Sequence, residues 1–245
     1  MIGSFGPRPL RPFWTYYGGK WRSAPRYPAP EHDTIVEPFA GSAGYALRYW
    51  DRRVVLVEKD PVIAGIWRYL LRARPSEIRS IPLLGLDQTV DDLGPVAEEA
   101  KLLVGFWLRT GSETPRSRPS PWMKEGRWPH RFWGERARER IARQVELVRH
   151  WRIIEGGYRR APDIRATWFV DPPYQKAGAS YRHGSSRLNY SRLGGWVRSR
   201  KGLVVACENE GATWLPFEPF FVSASNMTNG QRQVSREAIW VQRSG

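Results

Sequence analysis

The run Thr167-Trp168-Phe169-Val170 is apolar and β-favouring, and it ends abruptly in Asp171-Pro172-Pro173-Tyr174. Proline lacks the N–H that a sheet ladder needs, so a strand over the first four residues has to stop where the prolines begin. A chain folded around that strand carries Asp171 and Tyr174 at the lip of a sheet, where open α/β folds bind their ligands. There Asp171 and the carbonyl of Pro172 can accept hydrogen bonds from an exocyclic amine and turn its lone pair out of the ring's conjugation. Tyr174 can stack on the base. A proline-rich turn after a buried strand accounts for the same residues, so other stretches have to decide.

Two strand-to-loop units precede this one. Thr34-Ile35-Val36-Glu37 runs into Pro38-Phe39-Ala40-Gly41-Ser42-Ala43-Gly44, and the spacing of Ala43, Ala46, Leu47 and Trp50 predicts a helix after it. Such an entry is found in nucleotide-binding α/β units. It lacks both the dinucleotide fingerprint and a phosphate loop ending in Gly-Lys-Ser/Thr, which suits a nucleoside-like ligand without a polyphosphate. An ordinary tight strand-to-helix turn is the structural alternative. Val54-Val55-Leu56-Val57-Glu58 is the next predicted strand, ending in an acid about twenty residues on, placed to hydrogen-bond both ribose hydroxyls. Asp60 and Pro61 then suit the N-cap and first turn of a helix that puts Ile63, Ile66, Trp67 and Leu70 on one side. Upstream, Trp14-Thr15-Tyr16-Tyr17-Gly18-Gly19-Lys20 offers a close-approach backbone, an aromatic wall in Tyr16 and a cation in Lys20.

The charge narrows the partner. Lys and Arg number 39 against 24 Asp and Glu, a net charge of +15, which favours a polyanion. Thirteen Trp and ten Tyr are many for 245 residues. Most of the Trp are expected in the core, and aromatics beside cations suit base stacking. Cys207 is the only cysteine and follows Ala206 in an apolar run, which excludes an internal disulfide and a cysteine-rich zinc site. It also argues against thiolate-based cytosine C5 chemistry; no metal is expected. No apolar run approaches the ~20 residues of a membrane span, and no signal-peptide core stands at the N-terminus. The expectation is a cytoplasmic protein with no membrane partner.

Taken in order, a Gly-Gly-Lys motif, a Pro-Phe-x-Gly loop, an acidic strand end, a basic insert and Asp-Pro-Pro-Tyr resemble the DNA adenine methylases of the Dam family. The likeness is dense over residues 14–70 and 166–174. It implies an α/β fold with a Rossmann-like methyltransferase sheet, helices on both faces and a target-recognition insert. It implies S-adenosyl-L-methionine as methyl donor and DNA as partner. By position, Tyr16 and Lys20 match residues that contact the donor. Glu37, Phe39, Gly41 and Ser42 match the loop around its methionine part, and Glu58 matches the ribose-binding acid, usually Asp. Asp171, with Pro172, Pro173 and Tyr174, matches the catalytic motif, and Asp171 also borders the cofactor site. Ala43 stands where many members have a second glycine, and Tyr17 replaces a small residue before Gly-Gly-Lys.

Residues 1–98 are then the arm and cofactor-binding half, 99–150 the insert and 151–245 the catalytic half. Met1 to Phe13 reads as a loose arm and 75–98 as a connector. A helix carries Leu102, Leu103, Phe106, Trp107 and Leu108. From Lys101 to His150 there are twelve Lys and Arg against five acids. In the loop-like stretch from Thr110, the cations Arg116, Arg118, Lys124, Arg127 and Arg131 interleave with Trp122, Trp128, Phe132 and Trp133, a pattern that suits phosphate gripping and base stacking and equally a solvated loop. Gly134 to Trp151 reads as an Arg-rich helix with Ile141, Val145 and Val148 inward, and Arg152 to Gly156 as a strand. After Tyr174, the acid-free segment with Lys176, Arg182 and Arg187 could close over an extruded base, and equally reads as a mobile surface loop. Leu203–Cys207 is a buried-strand pattern. Two further strands bracket Asn229-Gly230, where Asn229, Gly230, Arg232 and Arg236 loosely match a basic segment that the family carries before its last strand. The expected activity is transfer of a methyl group to adenine N6 of a flipped base in DNA. Cytosine N4 or RNA adenine as the acceptor are the alternatives that keep the chemistry, and an inactive nucleic-acid-binding relative the one that does not. Asp rather than Ser or Thr before Pro-Pro leans toward adenine.

Overall fold

The computed structural model describes residues 7–109, 111–121, 132–176, 184–224 and 234–244. Among these residues seven strands form one sheet: β1 Thr34–Glu37, β2 Arg53–Glu58, β3 Arg152–Glu155, β4 Arg165–Val170, β5 Lys201–Asn209, β6 Glu218–Ala224 and β7 Val234–Ser244. Their order is β3-β2-β1-β4-β5-β7-β6. β1 to β5 are mutually parallel; β7 runs antiparallel to β5 and β6. The fold is α/β, with a mostly parallel sheet.

The alternation along the strands explains the layers. Ile35, Phe169, Leu203, Val205 and Cys207 enter one apolar cluster, while Val36, Trp168, Val170, Val204 and Ala206 enter the other. Side chains of period two, all apolar, require cover on both faces. On the first face lie α1 Pro61–Leu70 and α3 Glu98–Trp107, with α2 Pro75–Ser80 and α4 Glu135–Gln144. On the second lies α5 Tyr190–Arg198, through Leu193 and Val197. Asp60 caps α1 by accepting from the N–H of Val62 at 2.9 Å, with Pro61 in the first turn. In α4 and the 3-10 turn after it, Ile141, Val145 and Val148 are fully buried, as their spacing predicts.

Four local expectations are corrected. The helix after the small-residue loop is only a 3-10 turn, Ala46–Tyr49. Ala43 takes φ +51°, which breaks helical geometry, and the Ala46 N–H is taken by Glu37 at 2.6 Å rather than starting a ladder. Residues 7–13 are not a loose arm. Leu10 and Phe13 are buried, Leu10 N–H donates to Leu47, and Arg11 exchanges two hydrogen bonds with the Gln144 amide. The 75–98 connector carries α2 and buries Ile78, Ile81, Leu84 and Leu93. Phe132 and Trp133 are core residues, the latter donating to the Pro82 carbonyl at 2.8 Å, so neither is free to stack on a base.

No helix among the described residues is long and apolar enough to cross a membrane. Also among them, no cluster of His, Cys, Asp and Glu is arranged to hold a metal ion.

Candidate active site

The chain leaves β1 for β2 on one side and β4 for β5 on the other, so strand order reverses between the neighbours β1 and β4. Loops leaving two adjacent carboxyl ends in opposite directions leave a crevice between them. Glu37 ends β1, Glu58 ends β2, and Asp171 is the first residue after β4.

Lys20 reaches this crevice from the N-terminal loop. Its Nζ lies 2.8 Å from Asp171 Oδ1 and 2.9 Å from Oδ2, and donates to the Gly18 carbonyl at 3.2 Å. It also sits over the Tyr174 ring, 4.7 Å from the centroid. The pair is largely withdrawn from water: the side chains keep 10% and 19% of their surfaces. Burial raises the Asp171 pKa, and Lys20 opposes that rise. The ammonium approaches Oδ1 outside hydrogen-bonding angles, so that oxygen is buried with a charge beside it and no hydrogen bond among the described residues. The two prolines are held as well. Pro172 is buried, and the Pro173 carbonyl accepts from the Tyr190 hydroxyl at the start of α5, 2.5 Å away.

The Gly-Gly-Lys loop and the small-residue loop pack against each other. Gly41 has φ +45°, and a Cβ there would meet the Tyr16 ring at 3.0 Å. One on Gly19 would meet Ser42 Oγ at 3.1 Å, and one on Gly44 the Trp21 backbone nitrogen at 2.5 Å. The small residues are therefore required by this contact. Tyr16 in turn meets Phe106 of α3 edge-on.

The two strand-end acids have backbone partners. Glu37, pushed up to a pKa of about 8 by burial, accepts from Ala46. Glu58, also raised by burial, accepts from Gly41 N–H through Oε2 and from Asp60 N–H through Oε1, both at 2.9 Å. A carboxylate oxygen has two lone pairs, so each Glu58 oxygen keeps acceptor capacity. Phe39 leaves this group. It stacks on Tyr158 at 5.6 Å, against the second apolar cluster.

No family model matches the chain, and no curated protein matches it. Among solved structures it is similar to a conserved hypothetical protein from Streptococcus pyogenes, at 12% identity and a TM-score of 0.39 over 89% of each chain. A likeness at that score carries no argument.

Sequence reasoning missed Glu237 of β7, which is 7% exposed and accepts the Tyr174 hydroxyl at 2.5 Å. It also missed Tyr27, whose buried hydroxyl lies beside the Cys207 thiol without a well-formed hydrogen bond among the described residues. Glu208 was missed too; it is buried at the end of β5 and accepts from Gln175 N–H at 2.6 Å, pinning the chain just after Tyr174. The expected phosphate-binding residues divide. Arg116, Arg118, Lys176 and Arg187 are exposed. The first two line an open cavity of about 300 Å³ with Arg109, on a segment tied to the Gly-Gly-Lys loop by the bond from Tyr17 N–H to Ser112. Lys176 lies over Gly211, beyond the end of β5. Lys124, Arg127, Arg131, Arg182, Asn229 and Arg232 lie outside the described residues, as does Gly230.

Proposed function

We propose that the chain is an S-adenosylmethionine-dependent methyltransferase acting on adenine N6 in DNA, with a Rossmann-like sheet and a basic recognition insert over residues 99–150. The observation that carries this reading is the meeting of Lys20, Asp171 and Tyr174 at the reversal of strand order, beside the Tyr16–Gly41–Ser42 loops. The donor suits these residues on two grounds. Gly19 and Gly41 let the two loops close on Ser42 and Tyr16 beside the Lys20–Asp171 pair, and Asp171 Oδ1, next to the Lys20 ammonium, accepts no well-formed hydrogen bond among the described residues. Tyr16, Gly41, Ser42 and Glu58 would hold it, the last through its remaining lone pairs. When bound, it supplies a methyl group on a positively charged sulfur.

The chain's own residues do the rest. Asp171 accepts from the exocyclic amine, aims its lone pair and stabilises the positive charge that develops on nitrogen. It need not be a strong base. Burial favours the neutral acid, and Lys20 at 2.8 Å opposes it by favouring the carboxylate. Tyr174 presents a ring on which the extruded base stacks. Extrusion costs a few kcal/mol in a duplex; Arg116, Arg118, Lys176 and Arg187 supply phosphate contacts that offset it.

The test is transfer of tritium from labelled S-adenosylmethionine to DNA, with the modified nucleoside identified after digestion. Asp171→Asn should lower the rate by at least about 100-fold, the scale for losing one charge-stabilising group, with an unchanged circular dichroism spectrum. Turnover at the wild-type rate in that variant sinks the catalytic assignment. Label in cytosine or in RNA alone moves the substrate instead.

A further inference from the structure

β7 runs against the parallel strands, so its first residues lie beside the carboxyl ends of the others. The register pairs Glu237 with Asn209, the last residue of β5. An acid near the start of an antiparallel strand is thereby delivered to the same edge as Asp171, from 66 positions further along the chain. It is 7% exposed, and its two oxygens have separate partners. Oε2 accepts from the Tyr174 hydroxyl at 2.5 Å. Oε1 lies 2.8 Å from Ser235 Oγ, which is also 3.0 Å from Asn209 Oδ1 and can donate its single proton to only one of them at a time. The carboxylate is thus held by Tyr174 and by Ser235 of its own strand, the latter bond contested by Asn209.

Tyr174 is then restrained in two directions. Glu237 holds the edge of the ring at its oxygen, and Lys20 occupies one π-face at 4.7 Å. A phenol ring has two faces and one hydroxyl, so with these taken, and the ring partly buried against the first apolar cluster, a stacking partner has at most one face to use. Lys20 is itself anchored on Asp171. Ring and carboxylate therefore share one brace, and a base stacked on the ring has its exocyclic group at a set offset from Asp171.

We propose that Glu237 is a positioning residue: by holding the Tyr174 hydroxyl it fixes the ring on which the extruded base stacks, and so sets where the acceptor nitrogen stands relative to Asp171. The inference rests on the methyltransferase reading and adds to it a residue from the antiparallel strand. Misplacing a reacting group by about 1 Å costs on the order of 100-fold in rate. A loosened ring is expected to lower kcat and leave affinity for the donor nearly unchanged.

The experiment uses the full chain and three variants: Glu237→Ala, Glu237→Gln and Tyr174→Phe. Rates are read as tritium transfer, donor binding by calorimetry with S-adenosylmethionine, and base stacking by the fluorescence of 2-aminopurine placed at the target position. Glu237→Ala should lower kcat by roughly 10- to 100-fold, with donor affinity held and the bound 2-aminopurine less quenched. Glu237→Gln keeps an acceptor oxygen and should restore most of the rate. Because Glu237 acts through the hydroxyl, Glu237→Ala combined with Tyr174→Phe should lose no more than Tyr174→Phe alone. A Glu237→Ala protein with wild-type kcat and quenching overturns the inference while leaving the methyltransferase reading intact. So does a double variant whose losses multiply. A wild-type protein that transfers no methyl group to any nucleic acid overturns both.

Discussion

Acids along one edge of the sheet differ in what they hold. On the β1–β2 side, Glu37 and Glu58 accept from backbone N–H groups of the adjoining loop. On the β4–β7 side, Asp171 and Glu237 hold the side chains of Lys20 and Tyr174. A backbone donor cannot swing away without the loop unfolding, so the first two side chains are fixed in place and shape the loop, Glu58 keeping lone pairs to spare. A side-chain partner can rotate, so the second two can share their acceptors with a ligand. Glu208, between them at the end of β5, holds backbone as the first two do, so only Asp171 and Glu237 form the side-chain-bound half that the proposed chemistry would use.

Lys20→Met separates the halves most sharply. It leaves Asp171 mostly buried and without its counter-ion. Removing one partner of a buried pair costs about 3–5 kcal/mol, and the 19% of the Asp171 side chain still exposed points to the lower end, about 3 kcal/mol. Arg68→Met is the control. It breaks an ion pair of similar length, 2.7 Å to Glu155, whose side chains keep 41% and 46% of their surfaces, and should cost less than about 1 kcal/mol. Denaturant midpoints at pH 7 measure both. Equal losses would mean the Lys20 pair is no more than a surface contact, and the side-chain-bound half would have no special character.

The backbone-bound half should show itself through pH. The Glu37 carboxyl has its pKa raised from 4.5 to about 8, with burial as the largest cause. The folded state therefore holds a proton that the unfolded state has released. The stability this contributes is complete below about pH 4.5 and is lost as pH rises toward 8. Between pH 6 and 7 the loss is about 1.4 kcal/mol from this group; Glu58 and Asp171, also raised by burial, act with the same sign. Glu37→Gln keeps an oxygen for the Ala46 N–H but cannot titrate, so it should flatten the slope over that interval by the same amount. An unchanged slope would show that Glu37 is ionised in the folded protein and would remove the distinction at β1.

Sequence showed the edge better than it showed the partners. Strands are local, and their signals are local: β4 stops at Pro172, and alternate residues of β4 and β5 sort cleanly onto two faces. Asp171 was legible because proline punctuates the strand before it. Glu237 was not. Its partner Tyr174 lies 63 residues away, and it follows a basic stretch in which one acid reads as a neutralised surface charge. Spacing placed Glu58 at the end of β2, yet spacing says nothing of which donors an acid will meet there, and two of them turned out to be backbone. The missing helix after Gly44 has a similar cause. Apolar periodicity reports which residues face inward, and Leu47 does, but it cannot report that Ala43 turns left-handed and that Glu37 removes the first ladder donor.

Ala43 makes the smallest and most diagnostic test of the backbone-bound half. Its φ of +51° is a region that glycine enters freely and other residues at a cost of about 1–2 kcal/mol. Relief of that cost alone would make Ala43→Gly stabilising. Two terms oppose that. Glycine loses about 0.5–1 kcal/mol more conformational entropy on folding, and Ala43 is fully buried, so its methyl contributes about 0.8 kcal/mol. The sum is near zero, and a change of less than about 0.5 kcal/mol is expected in the unfolding free energy. Stabilisation beyond about 1 kcal/mol would mean that the methyl packs against little and the strain stands uncompensated. The loop would then be held in a conformation its sequence resists, kept there by the Glu58–Gly41 and Glu37–Ala46 bonds, and the backbone-bound half would be a strained element that a ligand could relax.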